Sequence, residues 1–253
     1  MAFNTSKHTL VESEDGSFTA FSSEFQEHYH STRDGALHES LYKHVIPAFE
    51  HHEDKEELTI LDICFGLGFN TLATLYYMRE NNINKKVRIF SPEFDGDLIT
   101  SLREFTYPEI FKDFLPIIDT LSREHVYRDD MLYIELYIGD AREYLRTCNE
   151  RFDIVYQDAF SPATNPLLWT KEYFSDIARL INDDGILTTY SMALKTRIAL
   201  YENGFNVYIN SGEGYRDATL ASKSELEEYA VVNVKHKMNC NLTTKSLRDM
   251  GIV

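Results

Sequence analysis

The sequence predicts an α/β protein built on a mainly parallel sheet with helices on both faces. Three observations carry this: short, near-continuous apolar runs, helix-patterned stretches between most of them, and glycines where the first such run gives way to a helix. Strands buried on both faces are apolar throughout rather than alternating, and parallel neighbours need a crossover, usually a helix. With 253 residues and 43% hydrophobic content, the chain can bury one sizeable core, or one core plus a small appendage.

Residues 1–56 read as an N-terminal extension packed on the core. Within it, Thr9-Leu10-Val11 and Ser17-Phe18-Thr19-Ala20-Phe21 flank the turn dipeptide Asp15-Gly16 and predict a small β-hairpin. Leu37, Leu41, Val45 and Ile46 then recur at helical spacing up to Pro47. The core spans 57–222. Its strand signals are Leu58 to Ile63, Val87 to Phe90, Leu132 to Ile138, Phe152 to Tyr156, Ile186 to Tyr190, Phe205 to Ile209 and Arg216 to Ala221, with a helix from Thr71 to Arg79 after the first. Asn210 to Tyr215 is too short for a crossover helix, so the last two strands should pair antiparallel. An insertion from about Phe105 to Asp130 with Pro108 and Pro116 either covers a pocket or decorates a crossover, and residues 223–253 form a tail without an assigned role.

Lys and Arg total 25 against 41 Asp and Glu, a net charge of −16 that opposes an extended nucleic-acid surface but leaves room for a local basic patch. No run matches a membrane helix and the start lacks a signal peptide's apolar core, so a cytoplasmic protein without membrane association is expected. Cys64, Cys148 and Cys240 have no zinc or disulfide spacing and read as small buried hydrophobes. The nine His lack metal-site spacing and read as solvated or capping side chains, so no metal is expected.

The chemistry lies at strand ends. Leu61-Asp62-Ile63-Cys64-Phe65-Gly66-Leu67-Gly68-Phe69-Asn70 runs strand, tight loop, helix; Gly66 and Gly68 let a ligand approach the backbone at the helix start. A third glycine is missing, so a nucleoside without pyrophosphate fits better than a dinucleotide. Glu93, in Ser91-Pro92-Glu93-Phe94-Asp95, ends the second strand where a carboxylate can accept from ribose hydroxyls. Asp140, in Gly139-Asp140-Ala141, ends the third strand and can accept from an adenine amino group, cap a helix, or do both. Asp62 with its glycines, Glu93 and Asp140 should converge at the carboxyl edge of the sheet, a layout that matches S-adenosylmethionine. Asp158 ends the fourth strand beside the expected methyl position. A carboxylate there can take up or hydrogen-bond an amine proton and stabilise the ammonium that methyl transfer creates, while Phe160, Pro162 and Pro166 stiffen the rim.

A parallel sheet closed by one antiparallel hairpin resembles the class I (Rossmann-like) methyltransferases. Phe69-Asn70, Ser91-Pro92-Glu93, Gly139-Asp140-Ala141 and above all Asp158-Ala159-Phe160-Ser161-Pro162-Ala163-Thr164-Asn165-Pro166-Leu167-Leu168-Trp169 resemble the methyltransferase domain of the MnmC family, bifunctional tRNA 5-methylaminomethyl-2-thiouridine biosynthesis proteins. The family's version of the last run is approximately Asp-Gly-Phe-Ala-Pro-Ala-Lys-Asn-Pro-x-x-Trp. Phe25, Tyr29, Asp34-Gly35 and Glu39 extend the likeness, which covers about residues 8 to 222.

The resemblance implies methylation of the exocyclic amine of 5-aminomethyluridine at the tRNA wobble position. It further implies a methyltransferase without the fused oxidase, its substrate supplied by a separate oxidase. Cys64 replaces a common first glycine, Ala159 a glycine and Thr164 a lysine, and Gly212-Glu213-Gly214-Tyr215-Arg216-Asp217 carries fewer cations than the family's run. Cations for RNA could come from Arg79, Lys85, Lys86 and Arg88, or from Lys235, Lys237, Lys245 and Arg248. Two alternatives stay open: a spermidine synthase-like aminopropyltransferase, against which Phe69-Asn70 offers no acid, and a non-catalytic nucleoside-binding or regulatory protein.

Overall fold

The computed structural model describes residues 3, 6–14, 16–33, 35–250 and 252; Asp15 of the expected turn and Asp34 lie outside the described residues. Strands β1 (His8–Glu12), β2 (Phe18–Ser22) and β3 (Glu27–His28) form an antiparallel sheet, so the expected hairpin gains a third, two-residue strand. The helical stretch that follows is interrupted: α1 (Ala36–Glu39) and α2 (Ile46–His51) are joined by a π-helical segment, Ser40–Val45.

The main sheet contains β4 (Glu57–Ile63), β5 (Lys86–Glu93), β6 (Val126–Arg128), β7 (Leu132–Ile138), β8 (Phe152–Gln157), β9 (Ile181–Thr189), β10 (Asn206–Asn210), β11 (Ala218–Ser222) and β12 (Ala230–Val231). Their order is β12-β10-β11-β9-β8-β4-β5-β7-β6. The five strands from β9 to β7 are mutually parallel, and β11 enters antiparallel between β9 and β10. The expected hairpin pairs Tyr208 with Leu220. All seven anticipated strands are present, and the short β6 and β12 extend the sheet at its edges.

Connecting helices are α3 (Phe69–Glu80), α4 (Gly96–Ser101), α5 (Leu115–Glu124), α6 (Ala141–Thr147), α7 (Lys171–Leu180), α8 (Leu194–Glu202) and α9 (Val234–Cys240). In β4, Leu58 and Ile60 enter one core while Leu61 and Ile63 enter the other, as the two-residue period of a pleated strand requires. The first core is closed by the N-terminal unit, α3 and α5, through residues such as Val45, Phe49, Leu72 and Leu121. The second is closed by α6, α7 and α8, through Leu145, Phe174, Ile177 and Ile198. The insertion thus covers a core face, with Phe111, Ile118 and Leu121 buried.

Pro92 lies inside β5, where a proline removes a ladder donor. The Glu93 carbonyl accepts from Gly139 N–H on the β7 side, and pairing with β4 has already ended at Leu61 opposite Phe90. The missing N–H therefore costs no sheet bond. Of the cysteines, Cys148 is buried as expected; Cys64 is half-buried and Cys240 exposed, the latter because α9 presents mostly polar residues to solvent.

Candidate functional site

Successive connections lead from β4 outward to β5 and β7 on one side and to β8 and β9 on the other. The carboxyl edge at such a reversal is where open α/β sheets bind ligands. A cavity of about 960 Å³ lies there, walled by the loops after β4, β5, β7 and β8 and by the N-terminal unit. Among the described residues, eight Asp and Glu line it against four Lys and Arg, so its wall favours cationic ligands.

In the loop after β4, Gly66 (φ 55°) lies on the cavity wall, and a Cβ there would stand 3.1 Å from the Tyr29 ring. Gly68 (φ 76°) instead caps α3, where a Cβ would meet the Phe65 ring at 2.9 Å; it does not line the cavity. Cys64 adopts φ 65° without being glycine, a conformation costing about 1–2 kcal/mol. Asp62 also stands behind the wall, 1% exposed, because it lies on the β4 face covered by α3. It accepts from Asn70 Nδ2 at 3.2 Å and Thr71 Oγ1 at 3.3 Å. Burial drives its carboxyl up to about 8, the Asn70 bond opposing and the Asp158 charge reinforcing. Asp62 and Gly68, expected at the ligand, thus shape the loop from behind.

Glu93 is 7% exposed and lines the cavity. Its Oε2 accepts from Gly66 N–H and its Oε1 from Asp95 N–H, both at 2.9 Å, so one side chain ties two loops together. Burial raises its carboxyl above the ordinary value, with these backbone bonds opposing. Asp140 and Ala141 line the cavity as well. Asp140 caps α6 through Oδ1, which accepts from Arg142 N–H at 2.6 Å and Glu143 N–H at 3.2 Å, leaving Oδ2 for another donor. A side chain can therefore be both helix cap and ligand acceptor.

The loop after β8 is held by side chains from separate elements. Glu27 of β3 accepts from Ser161 N–H at 3.1 Å; Tyr190 donates to the Ala159 carbonyl at 2.9 Å; Trp169 Nε1 donates to the Phe160 carbonyl at 2.7 Å. Phe25 stacks on Phe160 at 4.7 Å, with Tyr29 at 5.0 Å on the same ring. This frame presents Asp158, 8% exposed at its side chain, to the cavity. Asn70 Nδ2 donates to Asp158 Oδ2 at 2.9 Å, so one amide bridges Asp158 and Asp62. Burial by itself raises the Asp158 carboxyl, but the His44 charge, the His30 charge and the Asn70 hydrogen bond outweigh it and leave the group below the ordinary value.

The histidines correct the sequence reading: His8, His30, His44 and His52 are buried, not solvated. His30 lines the cavity, and burial lowers its imidazole, with the Asp158 and Glu39 charges opposing. Their burial depends on contacts more than a hundred residues away in places, as with His44 and Thr188, and no local spacing marks them. The first cationic cluster is spent on internal partners. Lys85 donates to the His52, Glu53 and Lys55 carbonyls; Arg79 pairs with Asp113, Lys86 with Glu57 and Arg88 with Glu150. In the tail, Arg248 pairs with Glu172 at 2.7 Å. Lys7, Arg33, Arg142 and Arg216 line the cavity instead.

A carboxylate braced at the second strand's tip, a second at the third, a glycine in close contact and an acidic wall suit a nucleoside with a cationic tail. Residues 107–224 match a family of S-adenosyl-L-methionine-dependent methyltransferases. The fold and site define an S-adenosylmethionine-dependent methyltransferase.

The crystal structure of MnmC2 from Aquifex aeolicus superposes with a TM-score of 0.83 at 32% identity, covering 98% of this chain and 82% of that one. The chain belongs to the MnmC methyltransferase family. An uncharacterised Methanocaldococcus jannaschii protein is 33% identical over 231 residues, 86% of this chain and 60% of that protein. The tRNA 5-methylaminomethyl-2-thiouridine biosynthesis bifunctional protein MnmC of an Azoarcus species is 31% identical over 222 residues, 81% of this chain. The chain spans 34% of the length of that bifunctional relative. Among the described residues, no helix is long and apolar enough to cross a membrane.

Proposed function

We propose that the protein methylates the exocyclic amine of 5-aminomethyluridine, with or without the 2-thio group, at the wobble position of tRNA. The observation that carries this is Asp158, a carboxylate on the cavity wall, hydrogen-bonded by Asn70 and held below its ordinary value. The names of the Aquifex and Azoarcus relatives support the substrate class. Bound S-adenosylmethionine supplies a methyl group on a cationic sulfur. Glu93 accepts from the ribose hydroxyls, Asp140 with Ala141 receives the adenine edge, and Gly66 leaves room for the cofactor's close approach. Asp158 meets the incoming amine. A carboxylate that prefers its ionised form orients an amine by accepting its N–H and stabilises the cation left after transfer. A separate oxidase that frees the aminomethyl group belongs to the same proposal.

Mass spectrometry of nucleosides from tRNA bearing the free aminomethyl group, after incubation with labelled cofactor, tests the reading. Label should appear in the methylaminomethyl nucleoside, and its absence would rule the substrate out. Asp158→Ala should slow turnover by about 10²-fold or more while cofactor affinity by calorimetry is kept.

A further inference from the structure

His44 does not line the cavity, yet its Nε2 stands 3.5 Å from Asp158 Oδ1, and its side chain is 0% exposed. Among the described residues that nitrogen has no hydrogen-bond partner, while Nδ1 lies 2.8 Å from Thr188 Oγ1 on β9. A buried imidazole nitrogen left unpaired and aimed at a carboxylate needs an explanation. The π-helical segment Ser40–Val45 buries Lys43, His44 and Val45 in succession, and such segments recur at functional positions.

The other groups around the pair balance among themselves. Lys43 Nζ meets Glu39 Oε1 at 2.7 Å, and His30 Nδ1 lies 3.9 Å from Glu39 Oε2. The Tyr156 ring of β8 sits edge-on to His44 at 5.7 Å. From α3, Asn70 holds Asp158, with Asp62 on its far side. Tyr190 is held by the Ala159 carbonyl. His44 is therefore the ionisable side chain placed to exchange a proton with Asp158 on the side away from the cavity.

We propose, resting on the amine substrate inferred above, that His44 is the proton-holding partner of Asp158. A primary alkylamine, with an ordinary pKa of about 10, reaches the site mostly as an ammonium and cannot attack until it sheds a proton. Its N–H bond breaks as an O–H forms on Asp158 Oδ1; that O–H then breaks as N–H forms on His44 Nε2. The freed lone pair bonds to the methyl carbon, and the C–S bonding pair stays on sulfur. After the product leaves as a secondary ammonium, the held proton returns through Asp158 to water. The step starts from the neutral tautomer in which Nδ1–H donates to Thr188 Oγ1 and the Nε2 lone pair faces Asp158; once Nε2 carries the proton, its charge keeps Asp158 ionised. His44 touches no substrate and acts through Asp158 as a positioning residue.

The test compares pH–rate profiles of wild type, His44→Gln and Thr188→Val on aminomethyl tRNA, with cofactor binding by calorimetry as the folding control. His44→Gln should be about 10²-fold slower near pH 7 with unchanged cofactor affinity. The gap should close toward about pH 9.5, where more amine arrives neutral. Thr188→Val, which keeps the imidazole but frees its tautomer, should show a smaller deficit with the same closing. A deficit equal at every pH, or none, overturns the proposal while leaving the methyltransferase reading intact. Should wild type place no label in this nucleoside, the substrate reading fails separately, and nitrogen NMR of labelled histidine decides the pair. Asp158→Asn must then move the His44 Nε2 resonance; an unmoved resonance overturns the partnership.

Discussion

Asp62 and Asp158 are both buried acids touched by the same Asn70 amide, yet they are driven in opposite directions. Asp62, with no cation beside it among the described residues, is pushed up to about 8 by burial, so the folded protein holds its proton to higher pH than a free carboxyl would. In the unfolded chain the same carboxyl ionises near its ordinary value of 3.8. Between those values the folded state holds the extra proton. Its stabilising contribution is thus complete at low pH and is lost as pH rises through about 8. Asp62→Asn, neutral at every pH, should lose less stability than wild type between pH 5 and pH 8. The difference in urea unfolding free energy should be on the order of 1 kcal/mol per pH unit. Equal slopes for both proteins would mean that Asp62 is ionised throughout. Asp158 ends the neighbouring strand, but His44 beside it, with His30 and Asn70, reverses the sign. Sequence placed both acids at strand tips and gave them different roles, but not their opposite shifts, because that difference lies in partners from the N-terminal unit.

At the scale of elements, the N-terminal unit and the loop after β8 form one mechanical piece. Ser161 N–H is held by the Glu27 carboxylate across 134 residues, and Phe25 stacks on Phe160. Glu27→Ala should speed hydrogen exchange of the amides from 159 to 165 and lower turnover about tenfold while cofactor affinity is retained, since a positioning frame is weakened but no proposed cofactor contact is removed. Unaltered exchange there would show that Trp169 and Tyr190 suffice. The core strands were legible because apolar runs and glycines are local signals. β9 nevertheless begins at Ile181, five residues before the apolar run, through the polar Asn182, Asp183 and Asp184. The π-helical segment was not legible, since Leu37, Leu41 and Val45 fit an α-helical period and the interruption shows only when His44 and Lys43 find buried partners. Gly68 and Asp62 were legible as part of the strand-to-helix loop after β4, but which loop residues face the cavity depends on how α3 and Phe65 pack beneath it.

At the scale of the whole molecule, a net charge of −16 and an acidic cavity set how RNA can approach. The Arg79 to Arg88 cluster is committed to carboxylates and carbonyls, which leaves Lys7, Arg33, Arg142 and Arg216 as the cations at the cavity. Even there Arg142 is engaged by Asp249 and Lys7 lies 3.5 Å from Asp95. Each neutralised phosphate contributes about 0.7–0.9 to the slope of log affinity against log salt. Binding of aminomethyl tRNA should therefore show a slope no steeper than about −4 between roughly 50 and 200 mM salt. Arg216→Ala should flatten it by close to one phosphate's worth without changing cofactor affinity. The acidic wall makes the same point from the opposite direction: it repels phosphate and attracts an ammonium, so the aminomethyl group, not the backbone, is what the cavity draws in. A steep salt slope that Arg216→Ala leaves untouched would place the phosphate contacts on another face and sever RNA binding from the cavity cations.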